Sequence, residues 1–139
     1  MRGNLGLLCV LLCAASGADA KDVTKIAASG QQTLMWSYAH WKKDCSPDLG
    51  VVKVIAKPEH GTLVPREVQG TIRHPGLRRP GSVACVGKPT PTFKVYYTSD
   101  RGFQGTDHFK IEVSYRGDRP DVDTFTVEVL SAGERSQRP

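Results

Sequence analysis

Between positions 66 and 88 the chain places Arg66, Arg73, His74, Arg78, Arg79 and Lys88 against a single acid, Glu67. Guanidinium and ammonium groups at that density attract phosphates and carboxylates at long range, with a strength that salt screens. The whole chain leans the same way, with 19 Lys and Arg against 14 Asp and Glu and a net charge of +5. Arg73, Arg78 and Arg79 are the candidate anion contacts. The plainer reading of the same stretch is a solvated loop whose charges keep the protein in solution.

Other chemistries find less support. Asp100, Asp107, Asp118, Asp121 and Asp123 are scattered over several turns, whereas a tight calcium site draws its oxygens from a compact acidic loop. His40, His60, His74 and His108 stand alone, without His-x-His or His-Glu-x-x-His spacing. No metal site and no cofactor is expected. Nucleophilic catalysis lacks a Gly-x-Ser-x-Gly elbow. Glu112 and Glu128 are a possible carboxylate pair, but both are expected to face water, where nothing raises the pKa of a general acid. A non-catalytic role is expected. Arg116-Gly117-Asp118 spells an integrin-type tripeptide, yet Gly-Asp is a common turn dipeptide and chance explains it.

These residues need a scaffold and a compartment. Arg2, the apolar run Leu5–Ala15 and the small-x-small site Ala18-Asp19-Ala20 read as a signal peptide over residues 1–20, with Lys21 as the mature N-terminus. The run is too short to span a bilayer. Cys9 and Cys13 fall inside it, and the bulky Leu12 before Cys13 argues against a lipoprotein signal. An exported product, periplasmic or secreted, is expected, and export disfavours nucleic acid as a partner.

Export also bears on Cys45 and Cys85, which remain after the leader is removed. An even pair in an oxidising compartment reads as a disulfide. Free thiols or a metal pair are the alternatives, and no second Cys or His lies at ligand spacing from either. Closing a loop of about 40 residues stabilises by roughly 4 kcal/mol in the chain-entropy model.

Period-two alternation marks the elements. It is clearest at Phe93–Tyr97, Phe109–Tyr115 and Phe125–Val129, with Leu34–Tyr38 (Leu34, Trp36 and Tyr38 on one phase), Val51–Ala56 and Val83–Val86 as further runs. Turn signals such as Pro47-Asp48, Pro58-Glu-His-Gly61 and Gly87-Lys-Pro89 separate them. The pattern predicts an all-β, Ig-like antiparallel β-sandwich with one disulfide, occupying residues 33–130. Lys21–Gln32 is weakly patterned, and 131–139 reads as a disordered tail. Asp107–Tyr115 and Val122–Leu130 should form a hairpin with Phe109, Ile111, Val113, Phe125, Val127 and Val129 facing the core.

Before that hairpin, Gly102 and Gly105 bracket Phe103, and Asp107 follows. Glycine permits the positive φ of a tight corner, Phe103 can fold back over the core, and Asp107 can accept from nearby amides. This is a structural corner that needs no ligand.

The stretch "YYTSDRGFQGTDHFKIEV" resembles the closing motif of bacterial cadherin-like or Ig-like tandem modules. "KPEHGTLV", Lys57–Val64, is similar to the turn with which those modules open. The resemblance implies an Ig-like sandwich and an exported adhesion or scaffold class, without implying a substrate. The chain departs from it in carrying a single copy, a disulfide, and a longer, more basic stretch from Pro65 to Pro91. Trp36 and Trp41 both precede Cys45, so the antibody arrangement of a tryptophan between two cysteines does not apply. The expected function is a non-catalytic binding or envelope-associated module whose specific ligand the sequence leaves open, with anionic cell-envelope polymers as the candidate partners of the basic stretch. An inhibitor or chaperone-like partner of another envelope protein is the alternative, and salt dependence separates the two.

Overall fold

The computed structural model describes residues 20–48, 50–75, 82–116 and 119–135. Among them, seven strands run in chain order: β1 Ala20–Ala28, β2 Gln32–Tyr38, β3 Val51–Ala56, β4 Gly61–Thr71, β5 Pro89–Ser99, β6 Gly105–Ser114 and β7 Asp121–Leu130. They form two sheets, ordered β1-β7-β6-β3 and β2-β5-β4. The orders β2-β5-β4 and β3-β6-β7 are the B-E-D and C-F-G groupings of an immunoglobulin-type sandwich. The chain is thus an Ig-like antiparallel sandwich with one disulfide. One pair departs from antiparallel, since β1 runs parallel to β7.

The core lies where the inward phases of the strands meet. Val95 and Tyr97 of β5 face Phe109, Ile111 and Val113 of β6 and Phe125, Val127 and Val129 of β7, all buried. Phe109 sits opposite Phe125 in the ladder, and their rings stack at 4.6 Å. The hairpin expected from alternation is therefore present with its expected core face, and Lys110 on the other phase is exposed.

Three local readings differ. In β2 the core positions are Met35 and Tyr38, while Leu34 is 41% exposed. A bulge between Leu34 and Trp36 leaves Met35 as an extra residue, and an extra residue reverses the phase of everything beyond it. Val83–Val86 is not a strand. A 3-10 turn covers Ser82–Cys85, and Gly87 (φ +89°) then turns the chain as its N–H donates to the Ile72 carbonyl. The segment before Thr33 is also ordered into the sandwich, because β1 buries Val23, Ala27 and Ala28. Its pattern is weak because lysines occupy two positions on the same phase as Val23. Lys21 and Lys25 lay their ammonium groups 3.4 and 5.6 Å from the Trp36 ring centroid, which lets long polar side chains cover the seam between the sheets.

Two ends follow from this topology. One gathers the β2–β3, β4–β5 and β6–β7 connections, and the other gathers the β1–β2, β3–β4 and β5–β6 connections. The tail begins with a single helical turn, Ala132–Arg135. Ser131 and Glu134 cap it reciprocally: the Ser131 amide donates to Glu134 Oε2 and the Glu134 amide to Ser131 Oγ. No helix among the described residues is long and apolar enough to cross a membrane.

Candidate functional site

Cys45 and Cys85 are bonded, with a Cα–Cα distance of 5.2 Å. The bond does not pin the two sheets together. It ties the β2–β3 connection to the 3-10 turn in the β4–β5 connection, at one end of the sandwich. Each tied segment carries groups of interest. Trp41 pairs by an isolated bridge with Pro47 in the first, and Arg73 and His74 lie in the second.

Between them is a groove of about 610 Å³. Its floor is the end of the β2-β5-β4 sheet on the side away from the core. Thr92 and Lys94 alternate with the core-facing Phe93 and Val95, so they point to this outer side. Ser37, opposite Lys94 on the same face, adds a hydroxyl, the β4 segment Gln69–Thr71 closes the floor, Trp41 forms one border, and Arg73 and His74 form another. Among the described residues no Asp or Glu lines it. Arg73 and Lys94 make no ion pair among the described residues. Gly70 sits in the floor because a Cβ there would lie 2.4 Å from Thr92 Oγ1.

A cross-strand relation adds charge. Arg66 of β4 lies directly opposite Lys94 of β5, and like charges in that position repel. The Arg66 guanidinium lies 5.5 Å from the Tyr96 ring centroid, where the ring face offsets part of that cost. Arg66, Lys94 and Arg73 thus put positive charge along one side of the sheet and into the groove.

Of the expected anion contacts, Arg73 is in the groove, whereas Arg78 and Arg79 lie outside the described residues. So do Gly117 and Asp118 of the integrin-type tripeptide. Trp41 and Lys94 were not expected at the site. Their signal is indirect: Trp41 lies four residues before Cys45, so pairing Cys45 with Cys85 already draws it toward the Arg73 segment.

The corner Gly102-Phe103-Gln104-Gly105 is at the other end. Gly102 and Gly105 have φ of +80° and +135°. Asp107 is buried and accepts from the amides of Glu59 at 2.9 Å, His60 at 3.1 Å and His108 at 2.9 Å, and from the Tyr97 hydroxyl at 2.9 Å. Burial alone would raise its carboxyl, but the Glu59 amide, the Tyr97 hydroxyl and the amides of His60 and His108 outweigh it and hold it below the usual carboxylate range. Phe103 stacks on His60 at 4.2 Å. The Pro58-Glu-His-Gly61 turn and the glycine corner, far apart in sequence, are therefore one structural unit.

At the groove end, buried Tyr38 donates to Asp123 at 2.8 Å, and burial first, then Asp123, pushes its hydroxyl pKa upward. Tyr115 stacks on His40 at 4.3 Å, and His40 bonds Asp48 at 2.9 Å. Burial, then Asp121, Asp123 and Asp48, push the Tyr115 hydroxyl up to about 12. Both phenols stay protonated at neutral pH, and the Tyr38 hydroxyl is a fixed donor to Asp123.

The remaining candidates do not converge. Glu112 stands opposite Val122 and Glu128 opposite Thr106, at separate ends of the hairpin ladder, so they form no carboxylate pair. Asp107 and Asp123 lie at opposite ends of the sandwich. No group of three His, Cys, Asp or Glu among the described residues is placed to hold a metal ion.

No family model matches the sequence, and no curated protein matches it. Structural comparison pairs the chain with the solution structure of amebosin, with 12% sequence identity and a TM-score of 0.41, over 82% of this chain and 100% of that one. Similarity at that level carries no functional argument.

Proposed function

We propose that the chain is an exported, non-catalytic Ig-like module that binds anionic cell-envelope polymers in the groove between Trp41 and Arg73. The carrying observation is a concave site lined by Arg73, His74 and Lys94, with no acidic side chain among the described residues that line it. The Arg66–Lys94 opposition adds to this. An anion bridging such groups relieves a repulsion that the empty fold sustains. The leader-like N-terminus and the disulfide support export. The two motifs that build the Asp107 corner are the ones that resemble cadherin-like tandem modules, and they support an adhesion or scaffold class.

The test is co-sedimentation of the oxidised protein with isolated cell envelopes across a salt series. Association should fall steeply as salt rises, and Arg73→Ser with Lys94→Ser should abolish it without lowering the melting temperature, since Lys94→Ser also removes the repulsion with Arg66. Association that ignores both salt and the double substitution would remove this reading.

A second reading, an inhibitor or chaperone-like grip on another envelope protein, rests on β3. It is an edge strand, and Val51 and Ile55 on it are 67% and 43% exposed. A free edge can accept a partner's strand. Salt-resistant association lost on Val51→Lys would favour it.

A further inference from the structure

We infer that the ligand of the groove is an acidic oligosaccharide, a short chain of sugars carrying carboxylate or sulfate groups. The inference rests on the anion-binding reading above and narrows it. A site for inorganic polyanion needs cations alone, and this groove holds three kinds of group. Arg73 and Lys94 supply charge. The exposed Ser37 hydroxyl, opposite Lys94 on the same face, is both donor and acceptor, which is what a sugar hydroxyl, itself donor and acceptor, requires. Trp41 supplies an indole. Its ring face carries negative quadrupole charge and suits the apolar, C–H-rich face of a pyranose. Phosphate chains have no such face, so for them the indole contributes nothing.

Shape agrees with this assignment. The volume of about 610 Å³ lies within the roughly 300–1,000 Å³ usual for small-ligand sites. Gly70 keeps the floor flat, since any side chain there would press on Thr92, and a ligand can then approach the strand backbone closely. The Cys45–Cys85 bond holds the Trp41 segment and the Arg73 segment together, so the stacking and charged groups are fixed relative to each other before the ligand arrives.

The test is calorimetric titration of the oxidised protein at one fixed ionic strength with three probes: tri-galacturonate, neutral maltotriose and inorganic tripolyphosphate. Tri-galacturonate should bind, and Trp41→Ala should weaken it roughly tenfold, with binding recovered by Trp41→Tyr. Maltotriose should not bind measurably, and tripolyphosphate should bind more weakly and without regard to position 41. Indole N–H signals in a nitrogen-15 spectrum give a readout on the unsubstituted protein, where tri-galacturonate should move the Trp41 signal and leave that of Trp36 in place. If tripolyphosphate binds as well as tri-galacturonate and neither responds at Trp41, the saccharide assignment is overturned while anion binding stands. If no probe binds, both fall.

Discussion

The Tyr97 hydroxyl donates to the Asp107 carboxylate at 2.9 Å, joining the middle of the core to the turn between β3 and β4. With three amides also donating, Asp107 is a buried charge whose acceptor capacity is fully used. A hydrogen bond to a charged group contributes about 1.5–3 kcal/mol. Tyr97→Phe should therefore cost about that much at neutral pH, read by urea unfolding.

The same carboxylate gives the fold an acid limit. Its folded pKa is lowered, so its contribution is fully present above the unfolded carboxylate value of about 3.9 and is lost as pH falls through the folded one. The difference between the wild type and Tyr97→Phe should shrink between pH 5 and pH 2. A difference that stays constant over that range would show that the hydroxyl acts by packing alone.

Gly102 and Gly105 separate two kinds of backbone demand. Neither has a steric reason to be glycine, because a Cβ at Gly102 would meet nothing within 4 Å and one at Gly105 would meet only Phe103 at 3.6 Å. Gly102, at φ +80°, lies near the left-handed well that asparagine tolerates, whereas +135° at Gly105 lies beyond it. Alanine should cost about 1–2 kcal/mol at Gly102. Asparagine should recover most of that at Gly102 and none at Gly105. Equal effects of asparagine at the two sites, in thermal melts, would refute the distinction.

What could be read from the sequence follows from how local each signal is. The β6–β7 hairpin was legible because both strands bury one strict phase, so alternation survives intact from Phe109 to Val113 and from Phe125 to Val129. The glycine corner was legible because its φ requirement is a property of single residues. β1 was not, because Lys21 and Lys25, with their ammonium groups over the Trp36 ring, occupy the same phase as Val23, which erases the apolar pattern. The phase of β2 was lost at one bulged residue, Met35. The groove is the least local feature. Lys94, Arg73 and Trp41 meet only because β5 pairs between β2 and β4 and because Cys45 bonds Cys85, so a reading confined to the Arg66–Lys88 stretch reaches one wall of it.

That dependence on the disulfide is itself testable. Cys45 and Cys85 are 40 residues apart, so replacing both by serine should lower stability by about 4 kcal/mol. The strands themselves hold the core without the bond, since its cysteines lie in connections rather than in either sheet. The variant should therefore keep the wild-type far-ultraviolet circular dichroism at 25 °C. The groove should fare worse than the fold. Lys94 and Ser37 stay on their strands, but Trp41 and Arg73 lose their common anchor, and ordering them on binding then costs affinity. Acidic-oligosaccharide binding should weaken severalfold in the folded variant, with a larger entropic penalty by calorimetry. Unchanged affinity in a destabilised but folded variant would show that the disulfide serves the sandwich and not the groove.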